Sequence, residues 1–124
     1  MVKILLVGTG GFLGSVLRYA VGGLAHRLFP VGFFPVGTLA VNVLGCFALG
    51  ALAGLAESRS IIGAQTRLFL MIGVLGGFTT FSTFGYETFS LARDAAGLKA
   101  MTNIALNVFL GLAAVWLGYG LTRT

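Results

Sequence analysis

Residues 75–84 read Leu-Gly-Gly-Phe-Thr-Thr-Phe-Ser-Thr-Phe, inside an apolar stretch long enough to span a bilayer. The run holds two adjacent glycines, four hydroxyl side chains and three phenylalanines, with no proline and no charge. In lipid every backbone N–H and C=O needs a partner. Non-helical backbone survives there only where protein or a water-filled cavity covers it. Gly76 and Gly77 weaken a helix, and Thr79, Thr80, Ser82 and Thr83 can bond their own backbone in a non-helical turn. Two readings stand side by side. A break frees carbonyls for a small cation and gives the resumed helix N–H donors for an anion. A continuous helix instead uses the glycines for packing and bonds the hydroxyls back one turn. Broken helices at mid-membrane depth bind ions in transport proteins.

The surroundings explain why a bilayer is the frame. Of 124 residues, 57% are hydrophobic and 9% charged, and the mean hydropathy is +1.01. A soluble domain carries about 25% charged residues, so this composition cannot coat a globule and indicates an integral membrane protein. The formal charge of +5 does not indicate nucleic acid, because the eight Lys and Arg stand singly between apolar segments. One cysteine, Cys46, and one histidine, His26, give no intramolecular disulfide and no metal site. Lys3 followed by an apolar run imitates a signal peptide. The run passes a typical h-region without a small-residue cleavage site, so it is expected to remain as a helix.

A spanning helix needs roughly 20 mostly apolar residues. Four segments qualify, at about 3–26, 37–56, 67–92 and 99–121. They predict an all-α protein with one four-helix transmembrane domain over residues 1–124. Pro30 and Pro35 separate the first two spans, Glu57 to Ser60 the next two, and Arg93, Asp94 and Gly97 the last two. Four spans put both termini on one face with Lys3, Arg59, Arg67 and Arg123. The other face has Arg18, Arg27, Arg93 and Lys99. Orientation follows a Lys/Arg excess, and here there is none. The chain can insert both ways up and pair with an inverted copy about an axis in the membrane plane. It can also take one orientation through local effects. Glycines four apart (10/14, 50/54, 73/77) signal close helix approach within or between protomers.

Several polar residues lie inside these spans. Gly8, Gly11 and Gly14 imitate a dinucleotide fingerprint, but the first acidic residue is Glu57 and no βαβ pattern follows, so an enzyme is not expected. Arg18 either faces an anion-attracting vestibule or snorkels to the interface. Asn42 is either interhelical glue or part of a polar path. Asn103 and Asn107 share one face of the last span. Glu87 suits a proton-coupled carrier or a hydrogen-bonded structural carboxylate. Phe81 and Phe84 share a face of the resumed helix, and ring edges carry partial positive charge that suits a small hard anion.

These motifs resemble the Fluc/CrcB family of fluoride channels. Gly-Gly-Phe-Thr-Thr-Phe-Ser-Thr-Phe at 76–84 with Glu87 is similar to its signature, Gly-Thr-Leu-Ala-Val-Asn-Val-Leu-Gly at 37–45 to a second motif, and Gly-Gly-Phe-Leu-Gly with Arg18 and Tyr19 to a third. The resemblance implies an antiparallel, dual-topology homodimer with two pores and a third helix broken at mid-membrane. It implies a structural sodium ion at the dimer centre, held by backbone carbonyls of Gly76 and Thr79. Phe81 and Phe84 would line each pore, with Asn42 donating nearby. Ser82 and Thr83 would add a polar track, Arg18 a vestibule, and Thr38 with Glu87 a polar cluster. Helix four departs from the pattern. Asn103 and Asn107 stand where relatives carry tyrosine, serine or histidine, and Gly111 replaces a serine. The implied role is passive export of cytoplasmic fluoride across the cell's inner membrane. Two alternatives remain. One is a small multidrug-resistance-like transporter, although its first-helix acid is absent here. The other is a non-transporting membrane assembly protein.

Overall fold

The computed structural model describes residues 1–58 and 62–123. Arg59 and Ser60, in the second expected link, lie outside them. The described residues contain helices and no strand. Helix α1 is Val2–Leu28 and α2 is Val36–Ser58. Helix α3 covers 64–78, opening as Ala64–Arg67, widening into a π-helical stretch Leu68–Val74 and closing as Leu75–Phe78. Helix α4 is Phe81–Arg93 and α5 is Gly97–Thr122. Together they give four apolar segments long enough to cross a membrane: Val2–Leu28, Val36–Ser58, Ala64–Arg93 and Gly97–Thr122. Each runs slightly beyond its apolar stretch because helix continues into the polar flanks.

The links follow from local chemistry. Between α1 and α2, a turn closes with the Phe34 amide on the Val31 carbonyl at 3.2 Å. Gly32 supplies its positive φ of 60°, which glycine adopts without steric cost. After α4, the Ala96 amide reaches back to the Leu91 carbonyl at 2.9 Å. Ala95 takes φ 57° to allow it, the Schellman ending usually assigned to glycine.

Glycine sets the helix pairing. In α1, a Cβ on Gly10 or Gly14 would run into the backbone of Phe69, Gly73 or Val74 in α3. In α2, a Cβ on Gly50 would strike the backbone of Val115, and one on Gly118 of α5 would strike Phe47 and Ala51. Asn42 with Asn107, Cys46 with Gly111 and Gly50 with Val115 advance in step, so α2 and α5 run parallel. The pairs Gly10 with Gly73 and Gly14 with Phe78 do the same for α1 and α3. The four-spaced glycines therefore join helices within the protomer. The imitation fingerprint divides: Gly14 is buried against α3, whereas a Cβ on Gly8 would meet nothing within 4 Å outside its own helix backbone. Most large apolar side chains face outward, among them Phe12, Phe109 and Trp116, as a chain solvated by lipid requires.

Candidate functional site

Helix α3 ends at Phe78 and α4 starts at Phe81. Thr79 (φ −80°, ψ 156°) and Thr80 (φ −149°, ψ 110°) are extended between them. The hydrogen bonds explain how this backbone is satisfied. The Thr80 amide, which in a continuing helix would bond the Gly76 carbonyl, bonds Asn42 Oδ1 at 2.9 Å. The Thr83 amide, which would bond the Thr79 carbonyl, bonds Thr80 Oγ1 at 3.3 Å, making Thr80 the N-cap of α4. The Thr80 hydroxyl donates to Thr83 Oγ1 at 2.9 Å. Asn42 Nδ2 donates to the Thr80 carbonyl at 3.3 Å. Side chains thus take over two ladder bonds, and the carbonyls of Gly76 and Thr79 are released from them.

The aromatic pair stands beside this turn. The rings of Phe81 and Phe84 lie 5.6 Å apart, tilted by 50°. Phe81 is 83% exposed in the protomer. A cavity of about 360 Å³ is lined by Asn42, Gly76, Thr79, Phe81, Phe84 and Asn107. A second cavity, about 170 Å³, is lined by Arg18, His26, Thr38, Thr80 and Thr83. Thr80 borders both, so the turn separates an arginine-bearing cavity from a phenylalanine-bearing one. Ser82 contributes a hydroxyl 3.4 Å from Thr80 Oγ1.

Two further groups of sequence candidates meet in space. Thr38 Oγ1 donates to Glu87 Oε1 at 2.7 Å. Glu87 Oε2 is buried with no hydrogen-bond partner among the described residues. Asn107 Oδ1 accepts from Asn42 Nδ2 at 3.1 Å. Asn107 Nδ2 donates to the backbone carbonyl and the Oδ1 of Asn103, each at 3.0 Å. Asn103 is fully buried, and its Nδ2 donates to Thr88 Oγ1 at 3.0 Å. The structure does not bring Arg18 or Glu87 into the cavity that holds Phe81.

Thr80 stands in the sequence as one of four hydroxyls able to bond their own backbone, and the structure makes it the N-cap of α4; a Thr directly before a helix start is an N-cap signal. Thr88 carried no signal, because its partner Asn103 lies on the next helix.

Four apolar helical segments of membrane length, with amides and hydroxyls gathered on an extended turn inside one of them, define a multi-pass membrane protein with an internal polar site. The family described as CrcB-like protein, Camphor Resistance (CrcB), matches residues 5–119. The chain belongs to this family. It is 47% identical over 121 residues to a protein of Methanosarcina barkeri named fluoride-specific ion channel FluC 3, covering 95% of this chain and 88% of that one. It is 44% identical over 123 residues to the fluoride-specific ion channel FluC of Nitratidesulfovibrio vulgaris, covering 99% and 98%. The FluC of Methylobacillus flagellatus is 40% identical over 123 residues, covering 99% and 96%.

Proposed function

We propose that this protein is a passive fluoride-selective channel. It would export cytoplasmic fluoride down its electrochemical gradient from two pores in an antiparallel, dual-topology homodimer of the cell's inner membrane. The family and the names of its relatives support fluoride as the ion. The observation that carries the site is the extended Thr79–Thr80 turn beside an exposed Phe81. Interrupted backbone is a poor surface to leave in lipid. An inverted copy laid against the turn would cover it together with the Phe81 ring and place the interruption at mid-membrane.

In this reading Arg18 draws anions into a vestibule by charge. Thr83 and Ser82 then offer hydroxyl donors in place of water, with the Thr38–Glu87 pair further along. Phe81 and Phe84 present positive ring edges, and Asn42 supplies an amide donor. A small, strongly hydrated anion gains most from such close donors. Gly76 and Thr79 fit a hard cation, since both carbonyls are released from the helical ladder and oxygen ligands suit such ions. A sodium ion held by these carbonyls and those of the inverted copy would neutralise carbonyl dipoles at the dimer centre.

Proteoliposomes loaded with fluoride and chloride test the reading. Fast fluoride loss at a fluoride-selective electrode, with little chloride loss and no need for a proton gradient, is expected. A requirement for a proton gradient would indicate a coupled carrier, and absence of fluoride flux from well-folded protein would sink the channel.

A further inference from the structure

The side chains around the site form a hydrogen-bond chain with a single direction. The Thr80 amide donates to Asn42 Oδ1 at 2.9 Å. Asn42 Nδ2 donates to Asn107 Oδ1 at 3.1 Å. Asn107 Nδ2 donates to Asn103 Oδ1 at 3.0 Å, and Asn103 Nδ2 to Thr88 Oγ1 at 3.0 Å. The Thr88 hydroxyl donates to the Phe84 carbonyl at 2.8 Å. The chain leaves the extended turn, crosses α2 and α5 and returns to α4 one turn below the aromatic pair.

The direction is forced. A backbone N–H can only donate, so Asn42 must turn its oxygen to Thr80 and its nitrogen to Asn107. Asn107 must then answer with oxygen, which points its own nitrogen at Asn103. Each amide that donates onward accepts more strongly, so the links reinforce one another. Both hydrogens of Asn42 Nδ2 are engaged, one by Asn107 and one by the Thr80 carbonyl at 3.3 Å. Asn107 Nδ2 is turned to Asn103, 3.0 Å from both its backbone carbonyl and its Oδ1. Asn42 has no donor to spare for an anion in the cavity it shares with Phe81, Phe84 and Asn107.

We propose that Asn107 is a positioning residue that competes with fluoride for the Asn42 donor. The ion binds by displacing Asn107 Oδ1 from Asn42 Nδ2, and Asn107 retakes the hydrogen as the ion leaves. A charged acceptor forms a stronger bond than a neutral amide oxygen, so the exchange favours the ion. The returning amide keeps the donor from being stranded and the ion from being trapped. Asn103 and Thr88 hold Asn107 with its oxygen forward. This inference rests on the fluoride-channel reading and adds a role for α5 to it.

The test is the fluoride dependence of flux, separated into half-saturating concentration and maximal rate. Asn107→Ala removes the competing acceptor and keeps Asn42. The half-saturating concentration should fall about tenfold, one net neutral hydrogen bond's worth, with a lower maximal rate from slower release. Thr88→Val lies outside the cavity and only loosens Asn103. It should shift the same constant in the same direction by a smaller factor, and it decides the matter if Asn107→Ala does not fold. An unchanged half-saturating concentration in the folded variants makes the chain of amides purely structural and overturns the proposal. A raised one makes Asn107 a direct donor to the ion and also overturns it. Normal wild-type flux with unshifted variants defeats this inference alone, whereas a wild-type protein without fluoride flux defeats the channel reading beneath it.

Discussion

Helices α2 and α5 meet in two different ways along one contact. At Gly50 the two backbones touch, with the Val115 main chain where a Cβ would stand. About two turns earlier, Asn42 and Asn107 hold the same helices together through a 3.1 Å amide hydrogen bond. The first region has intact helices on both sides, so all backbone polar groups are already paired and close contact alone can join them. The second stands beside the extended turn, where Thr80 and Thr83 have left the helical ladder. Side-chain amides and hydroxyls are needed there to satisfy backbone. Glycine supplies adhesion and asparagine supplies satisfaction, and only the second leaves polar groups that an ion can address.

The harshest way to break this contrast is Gly50→Leu. A Cβ there meets backbone atoms of Val115, which cannot move aside as a flexible side chain can. The helices must part, and loss of monodisperse protein on size-exclusion chromatography is expected. Gly120→Ala is the control, because nothing lies within 4 Å of a Cβ at that position. It should leave the yield unchanged. Normal assembly of Gly50→Leu would show that the glycine contact does not hold the pair.

Phe81→Ile should act on the other region alone. Its ring is 83% exposed in the protomer, so little packing within the chain is lost. What disappears is a positive ring edge. Flux should fall by at least about tenfold, equivalent to about 1.4 kcal/mol of barrier, with elution unchanged. Wild-type flux from this variant would remove Phe81 from the pore.

The two regions were unequally legible in the sequence. The spans could be read because length and apolar content together fix them. The four-spaced glycines could be read as contact faces, but a glycine carries no mark of its partner, and the pairing of α1 with α3 and α2 with α5 appears only in space. In the polar region the residue types were visible and their arrangement was not. Asn42 and Asn107 come from different helices, and nothing in either residue says that one amide must turn its oxygen to the other. That direction begins at the Thr80 amide, which becomes a free donor only because the helix stops at Phe78. Thr88 was hidden for the same reason, since its place depends on a chain of contacts through two other helices.

A smaller change sharpens the polar side. Thr80→Val keeps the shape and the backbone amide that Asn42 accepts, but removes the hydroxyl that caps α4. Loss of such a cap costs about 1 kcal/mol, which thermal unfolding in detergent should report. Thr80→Ser should recover most of it. A loss from Thr80→Ser with none from Thr80→Val would mean that the methyl, not the hydroxyl, matters there.

Ala95→Gly should give the smallest effect, and of opposite sign. Ala95 sits in the turn between α4 and α5 with φ 57°, and an L-residue there carries a steric penalty that glycine lacks. Glycine loses more backbone entropy on ordering, which offsets part of the relief, so a gain of no more than about 1 kcal/mol is expected. The Ala96 to Leu91 bond that closes the turn needs this backbone shape and no side chain. Stability should therefore rise in thermal unfolding while fluoride flux stays at the wild-type rate. The position touches neither the glycine contact nor the amide chain, so it separates firmness of the helix pair from operation of the site. A change in flux would mean that the α4–α5 turn is mechanically coupled to Thr88 and Asn103. The polar region would then extend to the end of the helix rather than stopping at the Phe84 carbonyl.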